Sequence, residues 1–319
     1  MKILITGITG FVGSHLAEYC LQQPEVKVFG VKRRESSLEN IKGVLSQISL
    51  RDCDLKDEEG VKKLIQEINP DRIFHLAAQS YVPDSFIAPR ATIETNIIGT
   101  LNLLEAIRRA GIDPLIHICS SSEVYGEVHP EEIPITENNP LRPQSPYAVS
   151  KVGEDLLAYQ YFRSFGLKTI RTRAFTHTGP RRGSAFASSA FAKQIAEIEK
   201  GAKPPVLYVG NLDSVRTFLD VRDVVRAYWL TLDKGIPGEV YNIGGETALS
   251  IREMLNMLLR LSDKGKSVEV RVDQKLLRPS DVTLQIPSVE KFRKQTGWKP
   301  QIPLEKTLKD LLDYWRERV

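Results

Sequence analysis

Lys2 to Gly13 reads KILITGITGFVG, and this stretch decides the fold. Lys2 to Thr6 is a short β-forming run that passes directly into Gly7, Gly10 and Gly13, after which Ser14 to Gln22 carries a helical pattern. Strand, glycine turn and helix together give such glycines meaning. They allow a tight turn and a close backbone approach to a pyrophosphate seated on the helix N-terminus. Thr9, Phe11 and Val12 fill the turn and are expected against the same ligand. The spacing is GxxGxxG, which differs from the GxGxxG dinucleotide fingerprint, and a ligand-free structural turn is the bland alternative.

Working outward, apolar runs alternate with helical patterns. Lys27 to Val31 and Ile48 to Arg51 are predicted strands, Asp57 to Ile68 a helix, Arg72 to Leu76 a strand and Ala91 to Ala110 a long helix containing Asn96. Strands follow at Leu115 to Ile118 and Leu167 to Arg173. This order predicts an α/β fold: a doubly wound parallel sheet with right-handed crossovers, binding its ligand beyond the carboxyl ends of the strands. Beyond Ala174 the elements shorten. The expected division is a Rossmann domain over residues 1–174 and a smaller α/β substrate lobe over 175–319, with a return near 217–245 that completes the sheet through Glu239 to Ile243. Leu304 to Arg318 reads as a terminal helix.

Two features, the segments after the second and fourth strands, place a cofactor. Lys32-Arg33-Arg34 follows the second strand, where an acid would bond the ribose 2′-hydroxyl of NAD and arginine accommodates a 2′-phosphate; NADP is therefore expected, the alternative being a solvated basic turn neutralised by Glu35. Asp54 follows the third strand, where it would alternatively cap the next helix. Ala77-Ala78-Gln79-Ser80 follows the fourth, with small residues that let the chain pass close to a cofactor.

The fifth strand ends in Ser120-Ser121-Ser122-Glu123, and Tyr147 and Lys151 follow at the start of a helix running to about Phe165. Residues at i and i+4 share a helix face, so phenol and ammonium can enter one site. Free tyrosine, with a pKa of about 10, is a poor base near neutrality, and a neighbouring ammonium favours the phenolate. Tyr147 is read as the base, Lys151 as its tuner and Ser121 as the group that holds a carbinol oxygen. Arginine forks suit a diphosphate, which draws attention to Arg182, Arg216 and Arg278.

Composition sets limits on the rest. A chain of 319 residues with net charge +4 and interspersed basic residues gives no nucleic-acid footprint. Cys20, Cys53 and Cys119 fit no metal spacing and read as reduced thiols, the histidines show no ligand spacing, and no metal is expected. His15 and His117 are expected in core or cap roles. The strand begins within two residues of Met1, so a soluble, cytoplasmic protein without signal peptide or membrane span is expected.

With these residues in hand, the chain resembles the extended short-chain dehydrogenase/reductase family from end to end, through its glycine motif and YxxxK. Within it the chain is similar to GDP-mannose 4,6-dehydratases and GDP-4-keto-6-deoxymannose reductases. Ser121-Ser122-Glu123-Val124-Tyr125-Gly126 looks like the dehydratase TSELYG, and Arg33-Arg34 and Pro180-Arg181-Arg182-Gly183 look like dehydratase segments. Phe191 onward, and total length, are as similar to the reductase. The resemblance implies bound NADP, with Asp54 and Leu55 at the adenine, Ala77, Ala78 and Gln79 along the cofactor, and Ser80, Ser122 and Lys193 toward a GDP-sugar substrate. Arg278 and Asp281 would meet the guanosine end. Thr176 stands where the family loop commonly has asparagine, which puts one diphosphate contact in doubt. Glu123 separates the activities: a dehydratase needs a carboxylate over C5 and C6, and a reductase has no task for it. The resemblance also implies a homodimer or homotetramer. A bifunctional enzyme and a non-catalytic NADP-binding regulatory protein are the other readings left open.

Overall fold

The computed structural model describes residues 1–277 and 282–319. Seven parallel strands form the central sheet: β1 (Lys2–Thr6), β2 (Lys27–Lys32), β3 (Ile48–Asp52), β4 (Arg72–His75), β5 (Leu115–Cys119), β6 (Thr169–Ala174) and a final strand, Val240–Ile243. Their spatial order runs from Val240–Ile243 through β6, β5, β4, β1 and β2 to β3. Chain order reverses beside β1, which pairs β2 on one side and β4 on the other, with Ile3 opposite both Val28 and Arg72. Such a reversal opens a crevice at the carboxyl ends of the strands.

Both faces of the sheet are covered, which explains why its strands read as apolar runs without alternation. One face packs helices Phe11–Leu21 and Val221–Lys234 through Leu16, Ala17, Val224 and Tyr228. The other packs Glu58–Ile68, Gly99–Ala110 and Pro146–Phe165 through Leu64, Leu103 and Ala158. β6 is buried along its whole length although it carries Arg171 and Arg173. Asp155 offsets their burial, meeting Arg171 Nη1 and Arg173 Nε at 2.9 Å each. A third apolar cluster joins helices Ala187–Glu199, Ile251–Arg260 and Leu304–Arg316 to strand Val206–Val209.

Three boundaries differ from expectation. The first helix starts at Phe11, not Ser14, because Gly10 is its N-cap and the glycines Gly10 and Gly13 belong to the cap and first turn. Asp57, not Asp54, caps the second helix: its side chain accepts the Gly60 N–H at 3.1 Å, whereas Asp54 accepts the Lys56 N–H in the preceding turn. The long helix begins at Pro89 and carries a π-helical turn at Glu94–Ile98, centred on the buried Asn96. Such turns insert one residue and re-aim the side chains around them. None of the helices among the described residues is long and apolar enough to cross a membrane.

Candidate active site

Gly7 has a φ of +71°, a conformation that costs any residue with a Cβ, and an added Cβ would sit 2.9 Å from the Ala77 Cα. At Gly13 the Cβ would lie 2.3 Å from the Gly7 carbonyl oxygen. The backbone turn is therefore closed to side chains. The helix it opens has no side chain capping its N-terminus and no acid in its first turn, so its free N–H groups and positive dipole end are available to an anion. Asn40 braces the turn by donating to the Thr9 carbonyl at 3.0 Å. Thr6 does the same from below: its hydroxyl accepts the Leu76 and Ala77 N–H groups, bringing the Ala77-Ala78 segment alongside Gly7.

At the end of β2, Lys32 is committed to Asp52 at 2.5 Å. Arg33 and Arg34 are exposed, and neither guanidinium forms an ion pair among the described residues; Glu35 does not neutralise them. Both line a cavity of about 460 Å³ whose wall also includes Asp54. Leu55 is buried and packs against Gly99. These features fit a nicotinamide dinucleotide: a side-chain-free turn for its phosphates and uncommitted cations where a ribose phosphate would lie.

Gln79 is held in place by Asn96, whose Oδ1 accepts the Gln79 N–H at 2.8 Å. The Asn96 amide donates to the Gln79 carbonyl at 3.1 Å and to Ser150 Oγ at 2.8 Å. Ser150 in turn donates to the Tyr147 carbonyl at 2.7 Å. Asn96 thus ties the cofactor-side loop to the Tyr147 helix, a role its sequence position did not reveal. A buried asparagine in the middle of an amphipathic helix was the available signal. Ser80 remains exposed beside this junction.

Ser145 caps the Pro146–Phe165 helix through the Ala148 N–H, and Pro146 follows at its first position. Tyr147 and Lys151 project from the first turns and are both buried. Burial pushes the Tyr147 phenol above its ordinary range; the Lys151 charge and a hydrogen bond with Ser121 oppose it. Burial alone would push Lys151 down, but the Glu154 carboxylate at 2.7 Å outweighs it and holds the ammonium above its usual value. His75 and His117 beneath the site are held neutral by burial, each lowered to about 3.

Ser121 accepts the Glu123 N–H at 3.2 Å and hydrogen-bonds the Tyr147 phenol, which gathers Ser121, Glu123 and Tyr147 at the end of β5. Among the described residues the Glu123 carboxylate accepts no backbone N–H. It faces Arg216, whose Nη1 lies 3.8 Å away. Gln285 joins them, accepting from Ser122 Oγ and from Arg216 Nη1 at 2.9 Å each. Gln285 lay too far along the chain to be singled out by any local motif. Arg216, expected near the nucleotide, lies beside Glu123 and Gln285.

Arg182 was expected on the substrate. Its guanidinium lies over Phe186 at 3.7 Å and over Phe11 of the glycine turn at 5.1 Å, and it also feels the Tyr147 phenol. Burial lowers its pKa to about 10. His177 stacks on the same Phe11 ring. Lys193 pairs with Glu197 at 3.9 Å and lies 5.3 Å above the Trp315 ring, so no contact brings it to the Ser121–Tyr147 group. Thr176 follows β6 at the sheet edge, its carbonyl accepting the Leu219 N–H. Arg278 and Asp281 lie outside the described residues.

Comparison with known proteins agrees with this geometry. Residues 4–311 match the model of the family described as GDP-mannose 4,6 dehydratase. The chain is 33% identical to the GDP-6-deoxy-D-mannose reductase of Pseudomonas aeruginosa, over 100% of this chain and 98% of that protein. It is also 33% identical to the GDP-mannose 4,6-dehydratase of Yersinia enterocolitica, over 98% of this chain and 92% of the relative. The solved structure of RMD from Pseudomonas aeruginosa complexed with NADPH superposes with a TM-score of 0.86 at 33% identity, covering 100% of this chain and 99% of that one. Glycine turn, parallel sheet, Tyr147–Lys151 pair and these matches together place the chain in the GDP-mannose 4,6-dehydratase family of extended short-chain dehydrogenase/reductases.

Proposed function

We propose that this protein is a GDP-mannose 4,6-dehydratase using tightly held NADP. The observation that carries the proposal is Glu123: a carboxylate free of backbone partners among the described residues, placed beside Ser121 and Tyr147 and facing Arg216. Tyr147 would take the proton from the C4 hydroxyl of the sugar, with Ser121 holding that oxygen and the Lys151 charge stabilising the phenolate. Once C4 is a ketone, the C5 proton becomes acidic. Glu123 would remove it and return a proton to the departing C6 hydroxyl. NADP, when bound, would supply hydride acceptance at C4 and its return at C6, where C5 takes up a proton that balances the one Tyr147 received from the C4 hydroxyl, so the cycle is neutral in both electrons and protons. Arg33 and Arg34 would hold its 2′-phosphate, the Gly7–Gly13 turn its diphosphate, and Arg182 would close over the turn. Arg216 would meet the sugar diphosphate from the other side.

The rival is a GDP-4-keto-6-deoxymannose reductase, favoured by the relative matched at 33% identity over the whole chain. Purified protein incubated with GDP-mannose and no added cofactor separates the two. Loss of one water from the sugar nucleotide, read by mass, is expected. No reaction, together with NADPH oxidation once the 4-keto sugar is supplied, would give the reductase.

A dimer is also proposed. The Tyr147 helix exposes Val149, Leu156 and Tyr159, and the neighbouring helix exposes Ile93 and Ile98, an apolar face suited to a second copy. Leu156→Asp should lower the mass seen by light scattering; an unchanged mass would place the interface elsewhere.

A further inference from the structure

Lys151 and Glu154 lie one turn apart on the Pro146–Phe165 helix and are 3% and 1% exposed. The ammonium donates to Glu154 Oε2 at 2.7 Å, and Oε1 has no partner among the described residues. Nothing in the proposed reaction uses this carboxylate. Nor does packing of β6 need it, since Asp155 already meets Arg171 and Arg173. Burying a carboxylate costs several kcal/mol, so one placed here is compensated by what it does for its neighbour.

The surroundings define that effect. From its own helix Tyr147 faces Lys151 as a neutral phenol. From β4 comes neutral His75; from β5, neutral His117 and the Cys119 thiol, which bonds the Tyr228 hydroxyl of the Val221–Lys234 helix at 3.1 Å. The π-helical turn contributes the uncharged amide of Asn96, while its Glu94 is paired with Arg90 at the surface. Glu123 faces Arg216, and Asp155 is committed to its two arginines. Among the described residues, Glu154 is thus the carboxyl group paired with Lys151; burial raises its own pKa to about 7, with the Lys151 charge opposing the rise, so it is the countercharge from about neutral pH upward.

We propose that Glu154 is a positioning residue that keeps Lys151 charged and fixed beside Tyr147. The proposal rests on the hydride-transfer role given above to Tyr147 and Lys151. An ammonium buried among neutral groups tends to lose its proton; buried lysines with pKa values of about 5–6 are known. Without its cation, Tyr147 would hold its own proton more tightly and serve as base only at higher pH. Glu154 touches no reacting atom; its charge directly opposes the phenolate, and in this proposal the cation it keeps on Lys151 outweighs that opposition.

The charge of Lys151 can be read without cofactor or substrate, from the ¹³C shift of its ε-carbon across pH, with the signal assigned by its absence in Lys151→Met. In wild-type protein and in Glu154→Asp the lysine should remain an ammonium throughout the range in which the protein stays folded. In Glu154→Gln its titration should fall by about two pH units or more. Glu154→Ala, which admits water, should shift it in the same direction and serves if the glutamine variant does not fold. An unshifted lysine in the folded Gln or Ala variant overturns the proposal, as does an Asp variant that shifts as far as Gln. In turnover, the acid limb of the Glu154→Gln rate profile should move up by about one unit, with recovery at high pH. A uniform loss at every pH is what a purely structural role would produce and contradicts the proposal. Should the wild type turn over no sugar nucleotide, the proposed function fails, and the lysine titration still decides the role of Glu154.

Discussion

The two ends of the cleft are built differently. At the glycine turn the site is backbone: Gly7, Gly13 and an uncapped helix N-terminus leave a shape that only a chain without side chains can make. At the proposed sugar end it is side chains from distant segments, with Glu123, Arg216 and Gln285 meeting across 163 positions of sequence between Ser122 and Gln285. Backbone shape leaves a local record in sequence. Convergence of remote side chains leaves none, and a small change there can exchange one sugar reaction for another while the fold stays the same.

The largest expected effect tests the element common to both ends. Tyr147→Phe should lower turnover by a factor on the order of 10²–10⁴ while leaving cofactor binding and unfolding midpoint near wild type. Unchanged turnover would remove the shared chemistry. At the sugar end, Glu123→Gln should abolish water loss with a comparable drop, yet leave NADP affinity as it is; retained dehydration would refute the division between the two ends. At the cofactor end, Gly13→Ala forces a Cβ to within 2.3 Å of a backbone oxygen and should destabilise the protein by about 1–3 kcal/mol, weakening NADP binding at the same time. Wild-type stability and affinity in that variant would mean the turn is not closed.

A smaller, pH-linked effect lies beneath both. His75 and His117 have folded-state pKa values of about 3, below the unfolded value of about 6.5. Below pH 6.5 the unfolded chain binds protons that the folded one does not, so stability is full above that pH and is lost as pH falls toward 3. Chemical denaturation should give about 2 kcal/mol less per histidine at pH 5 than at pH 7.5. A flat profile would contradict the buried neutral rings. The smallest effect sharpens cofactor choice: replacing Arg33 and Arg34 by Ala should cost about 1–3 kcal/mol in NADP affinity and leave NAD affinity nearly unchanged.

The contrast also explains how much of the site is legible in the sequence. The parallel sheet was legible because both its faces are buried and its strands are continuous apolar runs, and Tyr147–Lys151 because a helix converts a spacing of four into proximity. The place of Arg33 and Arg34 just after β2 was legible, and they stand there exposed. Asn96 carries no role legible in sequence, since the π-helical turn that aims it packs against the Tyr147 helix. Gln285 and the partnership of Glu154 with Lys151 went unseen: the first is a long-range contact, and the second is an i,i+3 pair that would ordinarily be a solvated surface feature. The surroundings of Arg182 were not legible from its loop alone, because the rings of Phe11 and Phe186 that hold it come from separate segments.

The central claim, that one active site oxidises C4, removes water across C5 and C6 and returns the same hydride to C6, is tested most directly by isotope transfer. GDP-mannose deuterated at C4 is converted by the purified protein with no added cofactor, and the 4-keto product is analysed by NMR. Deuterium found at C6 is the predicted result. Product whose C6 carries no deuterium, or no conversion without added NADPH, would contradict it.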